Sequence, residues 1–131
     1  MGTGFKDLRV WIASKNLAVV IYKITAVGPL SRDFGLWDQI RRSSVSIPSN
    51  IAEGDERDTD KDSVRHFYIA KGSLAELRTQ LTIAHEAGLL AASDFASLEA
   101  DCVAIGRMIG ALIKARSKLS PTDAHPFAHR P

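Results

Sequence analysis

The feature that most constrains this chain is a hydrophobic rhythm shared by four of its segments. In each segment, apolar or small residues recur at alternating intervals of three and four positions, an average period of about 3.5. That period is typical of α-helices that cross at a shallow angle in a left-handed bundle, and it differs from the two-residue period of a β-strand. The repeating positions are Val10, Ala13, Leu17, Val20, Ile24 and Val27; Trp37, Ile40, Ser44, Ile47, Ile51 and Gly54; Phe67, Ala70, Leu74, Leu77, Leu81 and Ala84; and Phe95, Leu98, Cys102, Ile105, Ile109 and Leu112.

Turn-forming residues separate these segments. Gly28-Pro29, the polar run 54–60, Gly88 and Ser120-Pro121 interrupt the rhythm. Short connections favour antiparallel neighbours, so the sequence predicts an all-α fold, a left-handed up-down-up-down four-helix bundle. We expect residues 1–116 to form this domain. Residues 117–131 contain three prolines without periodicity and predict a flexible C-terminal tail.

Local signals refine the helices. Thr59 followed by Asp62 resembles a capping box and predicts the start of the third helix. Ser93 with Asp94 predicts the start of the fourth. Pro48 lies inside the second helix by pattern and predicts a kink there.

The first segment carries a second set of apolar residues away from its repeating positions. A helix that is apolar nearly all round is normally buried on both sides, whereas a lone four-helix bundle leaves one side of each helix in water. Scattered surface apolar residues are the alternative, since they are common. We predict instead a homo-oligomer whose interface includes Leu8, Trp11, Ile12, Val19 and Tyr22, with Ala18 on the same side.

Residue patterns for catalysis or metal binding are not found in the sequence. No acidic residue has His three positions later, and His85-Glu86 lacks the second His of a zinc motif because Leu89 occupies that position. Cys102, the single cysteine, falls on a core position and excludes an internal disulfide, which favours a reducing, cytoplasmic setting. Because catalytic and metal-binding patterns are missing, we expect a non-enzyme that needs no cofactor or metal. Because the sequence has neither a signal peptide nor an apolar membrane span, we expect no association with a membrane.

The charge of the chain is mildly basic but unevenly distributed. Seventeen Lys and Arg against fifteen Asp and Glu give a formal net charge of +2, too little by itself to indicate nucleic-acid binding. Residues 107–118 nevertheless contain four cations and no acid. Asp38 beside Arg41 and Arg42 leaves an in-helix ion pair open as the simpler reading of those two arginines. The candidate nucleic-acid-binding residues are Arg41, Arg42, Lys71, Arg78, Arg107, Lys114, Arg116 and Lys118.

Several motifs resemble a known family. They are Phe5-Lys6-Asp7-Leu8 with Trp11, then Phe34-Gly35-Leu36, the run Gln-Ile-Arg-Arg-Ser-Ser-Val-Ser-Ile-Pro-Ser-Asn-Ile-Ala-Glu-Gly at 39–54, and Tyr-Ile-Ala-Lys-Gly-Ser-Leu-Ala-Glu-Leu at 68–77. Together they are similar to the bacterial four-helix-bundle proteins encoded in intervening sequences of 23S rRNA genes. The resemblance spans roughly residues 5–115 and leaves the C-terminal tail outside.

This resemblance implies a left-handed four-helix bundle that assembles as a homopentameric ring, and it brings no catalytic residues with it. In a ring, a modest basic patch is repeated around the assembly and can bind phosphates through counterion release. We therefore expect a non-enzymatic oligomeric scaffold that binds RNA or DNA without sequence specificity. The alternative is a protein-interaction adaptor that binds another protein and no nucleic acid.

Overall fold

The computed structural model describes residues 4–117 and contains four α-helices. They are α1 (Arg9–Thr25), α2 (Phe34–Asp55), α3 (Asp60–Glu86) and α4 (Ala92–Ser117). Short 3₁₀ turns precede α1 and α2, and this part of the chain contains no strand. The prediction of an all-α four-helix bundle is therefore confirmed. Its left hand stays a prediction. The predicted tail, 117–131, also stays a prediction: its first residue is the last of α4, and the others, Lys118 included, lie outside the described residues.

The helices pack in chain order around one apolar core. α2 packs closely against both α1 and α3, and α3 packs against α4. The contact between α1 and α4 is smaller and leaves an open cleft of about 310 Å³, lined in part by Leu17, Val20, Ile105 and Met108. Because α1 and α3 each neighbour both α2 and α4, they occupy opposite corners of the bundle.

The predicted core positions are confirmed for three helices and partly wrong for the first. Every predicted position of α3 is buried, and so are those of α2 and α4 except Trp37, Phe95 and Leu112, which are half-buried and pack against the core. In α1, however, Val20 is 41% exposed, and Val27 lies beyond the end of the helix. Ser14 and Thr25 are buried instead, and their hydroxyls donate to carbonyl oxygens of the preceding turn. Burial costs these two residues little because their polar atoms are satisfied locally.

The helix ends follow the local signals in part. Thr59 caps α3, since its Oγ1 accepts a hydrogen bond from the Asp62 amide at 3.2 Å. Asp33 caps α2 in the same way, a cap that the hydrophobic rhythm did not reveal. Ser93 is not the cap of α4, because this helix already begins at Ala92. α2 runs without interruption through the buried Pro48, and the kink at this residue stays a prediction.

A glycine allows α2 and α3 to approach closely near the turn that joins them. A Cβ atom built on Gly54 would lie 2.5 Å from Phe67 Cε1 and 3.0 Å from the backbone oxygen of Ser63. Phe67 is fully buried, so its ring has little room to move away. Gly54 is therefore required by packing rather than by backbone conformation.

We expect Gly54→Ala to lower the free energy of unfolding by about 1–3 kcal/mol, because the added methyl group overpacks the contact between the helices. Gly110→Ala is the matched control, since a Cβ at this exposed helical glycine meets nothing within 4 Å. That change should raise the free energy of unfolding by up to about 1 kcal/mol through helix propensity. Urea denaturation followed by circular dichroism measures both, and a shift in the same direction for both variants would contradict the packing argument.

Candidate nucleic-acid interface

Three of the predicted nucleic-acid-binding residues meet in one groove between α3 and α4. Lys71 and Arg78 are two turns apart on α3, and Arg107 lies across from them on α4. The groove has a volume of about 350 Å³, and its floor includes Leu74 and Cys102. Of the described residues that line it, none is aromatic. We call this site the α3–α4 groove.

The charge of Arg78 is compensated by Glu99, which lines the neighbouring pocket between α3 and α4. Its Nε and Nη2 donate to the two carboxylate oxygens of Glu99 at 2.8 and 3.0 Å. These hydrogen bonds raise the pKa of Arg78 and lower the pKa of Glu99. The pair remains partly in water, so it contributes modestly to stability. The positive charge available to a ligand in the groove therefore comes mainly from Lys71 and Arg107.

Arg41 is engaged within the protein. Its guanidinium lies 4.5 Å from the ring centre of Tyr22 and 4.3 Å from that of Trp37, and its Nε donates to Thr25 Oγ1 at 2.8 Å. The in-helix ion pair with Asp38 is not formed among the described residues. Stacking on two aromatic rings holds α2 against α1, which is a structural role.

The remaining cations are distributed over separate surfaces. Arg42 lines a polar groove of about 230 Å³ between α2 and α3. Lys114 is exposed on α4 two turns after Arg107, so it extends the same side of that helix. Arg116 forms an ion pair with Asp55 and lies 5.5 Å from the Phe67 ring centre. The eight candidates therefore do not form one continuous patch in the protomer.

The predicted interface residues of α1 divide into two groups. Leu8 and Trp11 are half-buried and pack against the core. Ile12, Val19 and Tyr22 are 39%, 46% and 46% exposed, so they form an apolar surface on the outside of the bundle. Ala18 is buried, and the expectation that it lies on the outer side was wrong.

A ladder of polar contacts between α2 and α3 is the feature that the sequence did not predict. Ser43 donates to Gln80 at 2.7 Å, the Ser46 and Ser73 hydroxyls are 2.8 Å apart, and His66 Nδ1 lies 3.3 Å from Asn50 Oδ1. Serine is small enough to lie among the apolar positions of a helix, and its place in the sequence does not indicate which side chain it hydrogen-bonds. Only the structure shows these pairs. The ladder fixes the register of the two central helices.

Residues typical of a metal site do not converge within residues 4–117. No group of three or more His, Cys, Asp and Glu side chains there could hold a metal ion. His85 stacks on Phe95 with ring centres 4.6 Å apart, which is a packing role. None of the helices in this range is long and apolar enough to cross a bilayer.

Cys102 is a buried thiol beneath the α3–α4 groove. Burial, followed by the negative charge of Glu99, raises its pKa to about 12. The thiol is therefore protonated near neutral pH, and a protonated thiol is a poor nucleophile and a poor metal ligand.

The chain is similar in sequence to a protein family and in fold to a solved structure. A family model described as 23S rRNA-intervening sequence protein matches residues 6–111. A crystal structure of a protein of unknown function from the S23 ribosomal protein family of Bacteroides thetaiotaomicron is similar, with a TM-score of 0.74 and 25% sequence identity. The match covers 80% of this chain and 98% of that chain. No curated protein sequence matches significantly.

We expect the Cys102 thiol to react with iodoacetamide at least about 100-fold more slowly in the native protein than in urea, because it is buried and protonated. The chain has a single cysteine, so the mass increase reports on this residue alone. A peptide of residues 99–105 serves as the reference for an accessible thiol. Native labelling at the rate of the peptide would contradict the burial of this side chain.

Proposed function

Because this chain belongs to the 23S rRNA-intervening sequence protein family, we propose that it is a non-enzymatic, homo-oligomeric scaffold that binds RNA or DNA through the phosphate backbone. The contact site that we propose is the α3–α4 groove. The similar solved structure is of a protein of unknown function, so the proposal depends on the chemistry of this chain. We expect the protein to act in the cytoplasm.

The observation that carries the proposal is the pairing of Lys71 and Arg107 across one groove. Neither side chain forms an ion pair within residues 4–117. The Lys71 ammonium lies 5.8 Å from the ring centre of Tyr68, a contact that leaves its N–H groups able to donate to phosphate oxygens. Lys114 continues the same side of α4 towards its basic end. Phosphate contacts of this kind supply affinity without reading sequence.

The absence of an aromatic side chain among the described groove residues favours backbone binding over base recognition. Proteins that hold unpaired bases stack them on aromatic rings, and this groove is lined by aliphatic, small and charged residues. A duplex or a structured RNA presents phosphates without requiring stacking. We therefore propose structured RNA or duplex DNA as the ligand class.

Assembly into a ring strengthens the proposal, because one groove offers few cations. The exposed Ile12, Val19 and Tyr22 support a subunit contact on α1, and the family resemblance supports a pentamer. Each added copy repeats Lys71 and Arg107, and several weak phosphate contacts sum to a measurable affinity. Oligomerisation is thus part of the function that we propose.

We expect the double variant Lys71→Glu, Arg107→Glu to bind a structured RNA at least about tenfold more weakly than the wild type at low salt, with a shallower dependence of log K on log salt. Fluorescence anisotropy against ionic strength measures both quantities. Arg57→Glu, Lys61→Glu is the matched control, because it removes the same net charge from exposed positions at the turn between α2 and α3.

Equal weakening by the control pair would show that net charge, and not the α3–α4 groove, determines binding. A wild-type oligomer that binds no RNA or DNA at low salt would reject the proposal. That outcome would favour the adaptor alternative, in which the scaffold binds another protein.

We expect Glu99→Gln to tighten RNA binding, because it releases the Arg78 guanidinium from its carboxylate partner. The salt dependence should steepen by about 0.9 for each additional phosphate contact per site. Asp101→Asn is the control on the same helix, since Asp101 lines the cleft between α1 and α4 instead. An identical gain in both variants, measured by the same titration, would contradict the role of Arg78.

A further inference from the structure

A second apolar surface lies on α3, at the corner of the bundle opposite α1. Ile69 and Ile83 are 42% and 53% exposed on this helix. Between them, at helical spacing, lie the exposed residues Gly72, Glu76 and Thr79, and the small Gly72 and Thr79 leave a depression in this side of the helix. We call this the α3 surface, and it consists of Ile69, Gly72, Glu76, Thr79 and Ile83.

The outer surface of α1 is its counterpart in shape. Ile12, Val19 and Tyr22 project from a helix whose outer side carries large residues. We call this the α1 surface, and it consists of Ile12, Lys15, Val19, Tyr22 and Lys23. A helix with bulky side chains and a helix with a low, small-residue centre can approach closely because the projections of one fill the depression of the other.

The α1 surface and the C-terminal half of α3 carry opposite charge. α1 contains Arg9, Lys15 and Lys23 and no acidic residue between Arg9 and Thr25. The C-terminal half of α3 exposes Glu76 and Glu86, and its one arginine, Arg78, is already paired with Glu99. The N-terminal half of α3 is different, because it exposes the cations Lys61, Arg65 and Lys71. Two α1 surfaces placed together would oppose like charges, whereas α1 against the C-terminal half of α3 brings opposite charges together.

Gly72 has no evident use in the protomer. A glycine in a helix interior lowers helix stability relative to alanine. A Cβ added there meets nothing within 4 Å, and the residue does not have a positive φ. Nothing inside this chain therefore explains a glycine at the centre of the α3 surface. The close approach of another helix does explain it.

We infer that the α1 surface of one copy of this chain docks on the α3 surface of the next copy, within the homo-oligomer of the proposed function on which this inference rests. The contact is heterologous, because it joins two different surfaces, and each copy offers both of them. Such a contact closes into a ring when its rotation divides a full turn. A dimer closed by one self-complementary surface would not use the α3 surface.

Three single variants test the inference by native mass spectrometry and analytical ultracentrifugation. Val19→Glu places an acid on the α1 surface. Gly72→Gln places a bulky polar side chain on the α3 surface. Gly110→Gln is the matched control, because this exposed glycine of α4 also has open space around a Cβ. All three positions are exposed, so the protomer accommodates each change.

We expect a wild-type oligomer, an unchanged oligomer for Gly110→Gln, and monomers for Val19→Glu and Gly72→Gln. An equimolar mixture of the two monomeric variants should form a complex of two chains and no larger species. The intact α1 surface of the Gly72→Gln chain meets the intact α3 surface of the Val19→Glu chain, and neither end of this pair can extend. Formation of the pair also shows that both variants are folded.

Other results overturn the inference in distinguishable ways. If Gly72→Gln assembles like the wild type while Val19→Glu does not, α1 contacts something other than α3, and the oligomeric scaffold stands without this contact. If the mixed variants form no pair at concentrations where the wild type is fully assembled, or if Gly110→Gln is also monomeric, the inference fails. A monomeric wild type would reject the proposed function itself.

Discussion

The close packing of α2 on α3 is the contact on which the rest of the bundle depends. Gly54 lets the two helices meet over the buried Phe67 ring, and the paired hydroxyls of Ser46 and Ser73 fix their register. The outer helices are then added to this central pair, α1 beside α2 and α4 beside α3. This arrangement determines where the α3–α4 groove, the α1 surface and the α3 surface lie.

An arginine also bridges each outer helix to its neighbour in the central pair. Arg41 inserts between Tyr22 and Trp37 and joins α1 to α2, while Arg78 reaches Glu99 and joins α3 to α4. Both arginines were candidates for nucleic-acid binding in the sequence, and both have structural partners in the protomer. The phosphate binding that we propose therefore depends on Lys71 and Arg107, which the packing of α4 on α3 brings to one groove.

Much of the fold could be predicted because α2, α3 and α4 bury what their hydrophobic rhythm indicates. The rhythm failed in α1, where Ile21 is buried in place of Val20, and where Ser14 and Thr25 are buried because their hydroxyls are satisfied by carbonyl oxygens of the preceding turn. The candidate site was harder to predict, because a list of cations does not reveal which are compensated. Asp38 adjoins Arg41 in sequence, yet the partners of this arginine are rings on two helices, and tertiary packing alone brings them together.

The open cleft between α1 and α4 gives the molecule an uneven stability. A helix held chiefly along one side loses less buried area on detaching than a helix packed along two, so α1 can undergo local opening while α2 and α3 stay folded. Amide hydrogens of α1 should therefore exchange with solvent sooner than those of the central pair. Covering the outer side of α1 with a neighbouring copy would slow that exchange, so assembly would stabilise the first helix against local opening as well as build a ring.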